Sequence, residues 1–157
     1  MAAHTHPHKQ VKDVFTKPVL DKIAATIADV EKGTSAEIRV CIREERDHDE
    51  AGLSIEEIAK GEFLKLGMDK TAGRNGILLF ILFEEHKFYV YGDTGIHERV
   101  HPETWEDVAA TLKEHFKHGN YEQGIHDALK KIVSHVHTAF APATGITREL
   151  SNEVIVG

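Results

Sequence analysis

The run from Asn75 to Phe83, NGILLFILF, constrains this chain more than any other stretch. From Ile77 to Phe83 every side chain is apolar. That length is about a third of the roughly 20 residues a membrane-spanning helix needs. It is also too uniformly apolar for a strand with one wet face. Bounded by Gly76 and by Glu84-Glu85, it predicts a central strand buried on both faces, and a strand of that kind needs a layer of structure on each side of its sheet. The connection EEHK then leads into Lys87–Tyr91. A parallel partner needs a crossover of about a dozen residues or more, so the two segments predict an antiparallel hairpin.

The layers are found in the flanking segments. Leu20, Ile23, Ala24, Ile27 and Val30 recur at helical spacing after Pro18, with Gly33 placed to end that helix. Ala36 to Ile42 alternates as a strand. Ser54 with Glu57 three positions on forms a capping box that opens a second helix, which Gly67 closes. A helix between the first two strands allows them to run parallel with a right-handed crossover. Pro102 and Thr104 open a third helix carrying Trp105, Val108, Leu112 and Phe116 and ending at Gly119, and a fourth runs from about Tyr121 to His137. The expected fold is a mixed α/β sheet of three to four strands, the first two parallel and the second and third antiparallel, sandwiched between helices. The organisation divides into a His-rich arm over 1–12 with little to bury, a core domain over 13–140, and a tail over 141–157 whose one candidate strand is 153–156.

Charge narrows the partners. Against 19 basic side chains stand 26 acidic ones, a formal net charge of −7, which opposes binding to nucleic-acid backbones and anionic membranes and favours cations. The N-terminal sequence MAAHTHPHKQ lacks the apolar core of a secretory signal, so the chain is expected to be cytoplasmic. The single cysteine, Cys41, lies mid-strand and is expected to be a small buried residue.

Four segments, TSAEIRV, NGILLFILF, KFYVYGDTGI and FKHGNYEQGIHDALKKI, occur in the order and at the spacing of the TPM domain, and over about residues 17–138 the chain resembles that family. The module is shared by a thylakoid-lumen acid phosphatase, a photosystem II repair factor and many bacterial proteins. The resemblance implies a sheet with helices on both faces, divalent-metal binding as in some members, and the phosphatase activity claimed for a plant member. Two features depart from the family. Many members are secreted or membrane-anchored, and Arg74 stands where an acidic residue often precedes the NG pair.

The expected topology gathers Thr34, Ser35, Glu37, Arg74, Asn75 and the segment Asp93 to Glu98 at one end of the sheet. Asp93 lies between Gly92 and Gly95, which let the backbone turn toward a ligand. Calcium and magnesium take oxygen ligands, so Glu37, Asp93 and Glu98 are the candidate cation ligands. The competing reading pairs Glu37 or Glu98 with Arg74 or Arg99 as ordinary ion pairs. Asp47 and Asp49 begin a loop like an EF-hand, with Gly52 at its sixth position, but Ala51 and Ile58 stand where oxygen ligands are required. His97 with His101 and His115 with His118 have spacings that could hold a transition metal, although exposed helix histidines are the commoner explanation. If Met1 is removed, Ala2-Ala3-His4 offers an amine, two amides and an imidazole to copper or nickel. The expected function is therefore divalent-cation binding in an interaction or regulatory module that a protein partner could read; the alternative is metal-assisted phosphomonoester hydrolysis, with Arg74 or Arg99 clamping phosphate.

Overall fold

The computed structural model describes residues 9–142 and 148–157. The candidate copper ligand His4 lies outside them. Six helices and four strands follow in the order α1 (Val11–Val14), α2 (Lys17–Val30), β1 (Glu37–Arg43), α3 (Ile55–Lys65), β2 (Gly76–Leu82), β3 (Lys87–Gly92), α4 (Thr94–His97), α5 (Glu106–Lys117), α6 (Tyr121–Val136) and β4 (Ile155–Val156). The sheet order is β3-β2-β1-β4. β1 runs parallel to β2 and to β4, and β2 is antiparallel to β3. Among the described residues, no helix is long and apolar enough to cross a membrane.

The continuous apolar run becomes a strand whose two faces meet different layers. Ile77, Leu79 and Ile81 pack with Ile38, Val40 and Ile42 against α2, α5 and α6. Leu78, Phe80 and Leu82 pack with Cys41 against Ile58, Ala59 and Phe63 of α3. A strand side chain alternates between faces with a period of two, so only a run with no polar position satisfies both layers.

Local signals account for most boundaries. The Ser54 hydroxyl accepts the Glu57 N–H at 3.1 Å and the Ser54 N–H donates to the Glu57 carboxylate at 3.0 Å, which closes the box that starts α3. Gly67, at φ 70°, follows the helix in the left-handed region. After α2 the chain tightens into a 3-10 turn over Glu31–Gly33, and another over Pro102–Trp105 precedes α5, where the sequence predicts continuous helix. The arm boundary expected after residue 12 falls inside α1, because Val11 and Phe15 are buried against the core. The tail does supply an edge strand, two residues long.

Candidate functional site

β1 and β2 begin, and β3 ends, at the same end of the sheet. Glu37 is level with Gly76, and the Asp93 N–H donates to the Gly76 carbonyl at 2.9 Å. Glu37 and Asp93 therefore stand two strand spacings apart, roughly 10 Å, with Gly76 between them. A side chain at Gly76 would meet the Met68 carbonyl at 3.2 Å and Phe63 at 3.6 Å. Those two residues occupy the space between the carboxylates. Side chains at that spacing share one ion only by converging over Gly76, the position that the Met68 carbonyl and Phe63 overlie.

Each acid instead has its own partners. Glu37 is 2% exposed, and its Oε1 accepts the backbone N–H groups of Glu149 and Leu150, both at 2.7 Å. Beside it the Arg148 guanidinium donates to the carbonyls of Ala36 (2.6 Å), Glu31 (2.6 Å) and Thr34 (2.7 Å). Three carbonyls converging on one point resemble a cradle for a cation, and here a guanidinium fills it. Glu31 completes this group: its Oε2 accepts the Ile38 N–H at 2.8 Å, and burial raises its pKa against the opposing effects of that bond and of Arg148.

Asp93 is 3% exposed. Arg74 grips it through both oxygens, Nε to Oδ2 at 2.8 Å and Nη2 to Oδ1 at 2.9 Å, and the Thr94 N–H donates to Oδ1 at 2.7 Å. The carboxylate in turn raises the pKa of Arg74. Arg74 is about half exposed, and its backbone lies in the left-handed region at φ 47°, an uncommon conformation for a residue with a side chain. Gly95 is required here, since a Cβ would lie 2.6 Å from the Arg74 carbonyl and 2.7 Å from that of Gly73. In the same loop the Asn75 amide nitrogen donates to the Ser35 carbonyl at 2.7 Å, whereas its Oδ1 is buried with no hydrogen-bond partner among the described residues. Glu98 is exposed just beyond α4. None of the ion pairs weighed from sequence, Glu37 or Glu98 with Arg74 or Arg99, forms among the described residues: Arg74 takes Asp93, and Arg99 lies over the Phe140 ring at 4.6 Å. Among the described residues, no three His, Cys, Asp or Glu side chains are grouped as metal ligands.

The other candidates are dispersed. Asp47 caps a 3-10 turn and lies 3.8 Å from Arg43, which also pairs with Glu50 and Glu62; Asp49 is exposed. His115 meets Asp127 at 3.0 Å, while His118 turns to the Glu114 carbonyl at 3.0 Å, so the two rings serve separate partners. Cys41 is fully buried, and burial aided by the Glu62 charge pushes its thiol up to about 12.

A groove of about 560 Å³ runs along β3 and ends at the Arg74–Asp93 pair. One wall comes from α3 and the other from Trp105, Glu106 and Ala109. The sequence pattern alone does not mark this groove. The aromatic alternation of FYVY was the available signal, but only the sheet order reveals that β3 is an edge.

The family model described as TPM domain matches residues 9–135. Among solved structures, the chain is similar to the BA42 protein of the psychrophilic bacterium Bizionia argentinensis, at 30% identity over 90% of this chain and 94% of that one, with a TM-score of 0.80. It shares its fold with the N-terminal domain of a P. gingivalis protein (11% identity, 85% and 83% covered, TM-score 0.67). The same holds for the N-terminal domain of the cg2496 protein from Corynebacterium glutamicum (14% identity, 86% and 80% covered, TM-score 0.56). No curated protein matches.

Proposed function

This chain belongs to the TPM domain family, and from that premise we propose that it is a divalent-cation-binding interaction module, with calcium or magnesium held at the Arg74–Asp93 end of the sheet. The observation that carries the reading is a carboxylate 3% exposed whose charge is balanced by a guanidinium that is itself half in solvent. A cation that takes the place of Arg74 keeps Asp93 neutralised and releases the strained Arg74 loop.

The donor set is suited to a hard cation in kind. Asp93 offers a carboxylate, the Gly73 and Arg74 carbonyls crowd Gly95, and the Asn75 Oδ1 lacks a partner among the described residues. These fall short of the six to eight oxygens calcium takes, so water fills the remainder, and calcium tolerates such irregular sets better than magnesium. Glu37 is no part of this set, because two amides of the tail hold it. Phosphomonoester hydrolysis is not part of the proposal. Cys41 is a buried thiol whose pKa of about 12 keeps it from acting as a thiolate.

The reading makes Arg74 a competitor and Asp93 a ligand. Calcium is expected to raise the unfolding temperature of the wild type, more strongly that of Arg74→Gln, and not that of Asp93→Asn. A ligand at 100 times its dissociation constant adds about 2.7 kcal/mol, which sets the scale of the response. An Asp93→Asn protein that responds like the wild type rules out this site, and so does an Arg74→Gln protein that responds to neither cation.

A further inference from the structure

We propose that the free edge of β3 is a docking site for an extended segment of a partner protein, taken up as an added strand with apolar side chains at alternate positions and basic side chains beside them. The phase of the β2–β3 ladder comes first. The Asp93 N–H donates to Gly76, and Tyr91 and Tyr89 lie opposite Leu78 and Phe80. In an antiparallel pair, residues that face the partner strand alternate with residues that face away. Phe88, Val90 and Gly92 therefore turn their N–H and carbonyl groups outward, and β3 has no neighbour on that side in the sheet.

Such an edge is a template for another strand, and proteins ordinarily blunt it with charge, proline or a covering segment. Between Lys87 and Gly92, β3 reads Phe-Tyr-Val-Tyr, with neither charge nor proline. The opposite edge of this sheet is treated differently: the tail closes it, with Ile155 and Val156 beside Cys41 and Ile42 and the Gly157 N–H donating to the Ile42 carbonyl at 3.1 Å. An extended segment at the margin of this sheet is thus already part of the fold.

The groove also fixes what the guest looks like. Tyr89, Tyr91 and the half-exposed Leu64 form an apolar wall on the α3 side, and Phe88, Trp105 and Ala109 form one on the other. A guest strand presents side chains alternately to the two walls, so apolar residues recur at least at every second position. Along the rim, Glu56, Asp69 and Glu106 face Lys60, while Arg74 is balanced by Asp93. The surplus is negative and calls for basic residues in the guest. A second copy of this chain fits less well, because a two-fold contact would set Glu56 and Glu106 against the same acids.

The probe is a capped synthetic heptapeptide alternating valine and threonine between terminal lysines, added to the full chain in the presence of chelator, so that the outcome does not depend on cation binding. At ten times its dissociation constant the peptide is expected to slow amide exchange at Phe88, Val90 and Gly92 by roughly tenfold. Methylating the alternate peptide nitrogens that face β3 abolishes binding, and methylating the other set preserves it. A glutamate-flanked counterpart binds roughly tenfold more weakly, a preference that Glu56→Lys with Glu106→Lys reverses. Unchanged exchange at those three amides, or equal binding by both methylated peptides, overturns the proposal. Protection of the same amides that grows with protein concentration in the absence of peptide overturns it too, and assigns the edge to a second copy.

Discussion

Glu31 is buried at the foot of β1, and burial is the largest influence on its pKa, which it raises above the ordinary 4.5. A carboxyl raised in the folded state binds protons more readily folded than unfolded, so its contribution is full below the unfolded value and is lost as pH rises through the folded one. Glu85 has the opposite sign: hydrogen bonds from Arg46 lower its pKa, and its contribution is lost as pH falls through the lowered value. Replacing Glu31 by Gln keeps an oxygen for the Ile38 N–H without a buried charge. Urea denaturation is expected to show Glu31→Gln more stable than the wild type at neutral pH, with the gap narrowing as pH falls toward 4.5. A gap that widens on acidification contradicts burial as the dominant cause. At this scale the sequence was partly informative. Glycines flanking Asp93 mark it, and Gly95 proves sterically necessary. The partners of Glu37 were illegible, because its acceptor oxygen meets amides 112 and 113 residues away.

Elements with long apolar patterns were legible because burial alone specifies them. The β2 run predicted two covered faces, and the EEHK connection predicted the hairpin; both are present. α1 and α4, four residues each, were missed because a single turn has too few positions to display a period. The α5–α6 hairpin rests on close approach as well as on apolar contact. Asp107 meets His135 at 2.8 Å and His115 meets Asp127 at 3.0 Å, one pair toward each end of the contact. Gly124 lies beyond the His115–Asp127 pair, toward the turn that joins the helices, where a Cβ would come within 2.8 Å of the His115 Cβ. Gly124→Ala gains helix propensity yet forces the helices apart. Chemical denaturation is expected to show a net loss of about 1–3 kcal/mol, the usual cost of overpacking; a gain in stability would mean that the pair separates freely.

Across the whole molecule, one sheet carries two differently finished edges and one polar end. The tail closes the β1 edge and is fastened by Arg148 to three carbonyls and by Glu37 to two amides, so the carboxylate expected from sequence to hold a cation holds the chain's own C-terminal segment. Sequence pattern could place Glu37 at this end of the sheet but could not anticipate a strap arriving from 148–150. The β3 edge stays open beside Asp93, the aspartate on which the proposed cation site rests. An amide NMR titration of chelator-stripped protein with calcium, repeated on Arg74→Gln and Asp93→Asn, tests this most directly. In the wild type, shifts are expected to concentrate at 73–76 and 92–98, reached at lower calcium in Arg74→Gln and lost in Asp93→Asn, with 36–38 and 148–150 unmoved. Shifts centred on Glu37 and the 148–150 strap, or a spectrum unchanged in all three proteins, would contradict it.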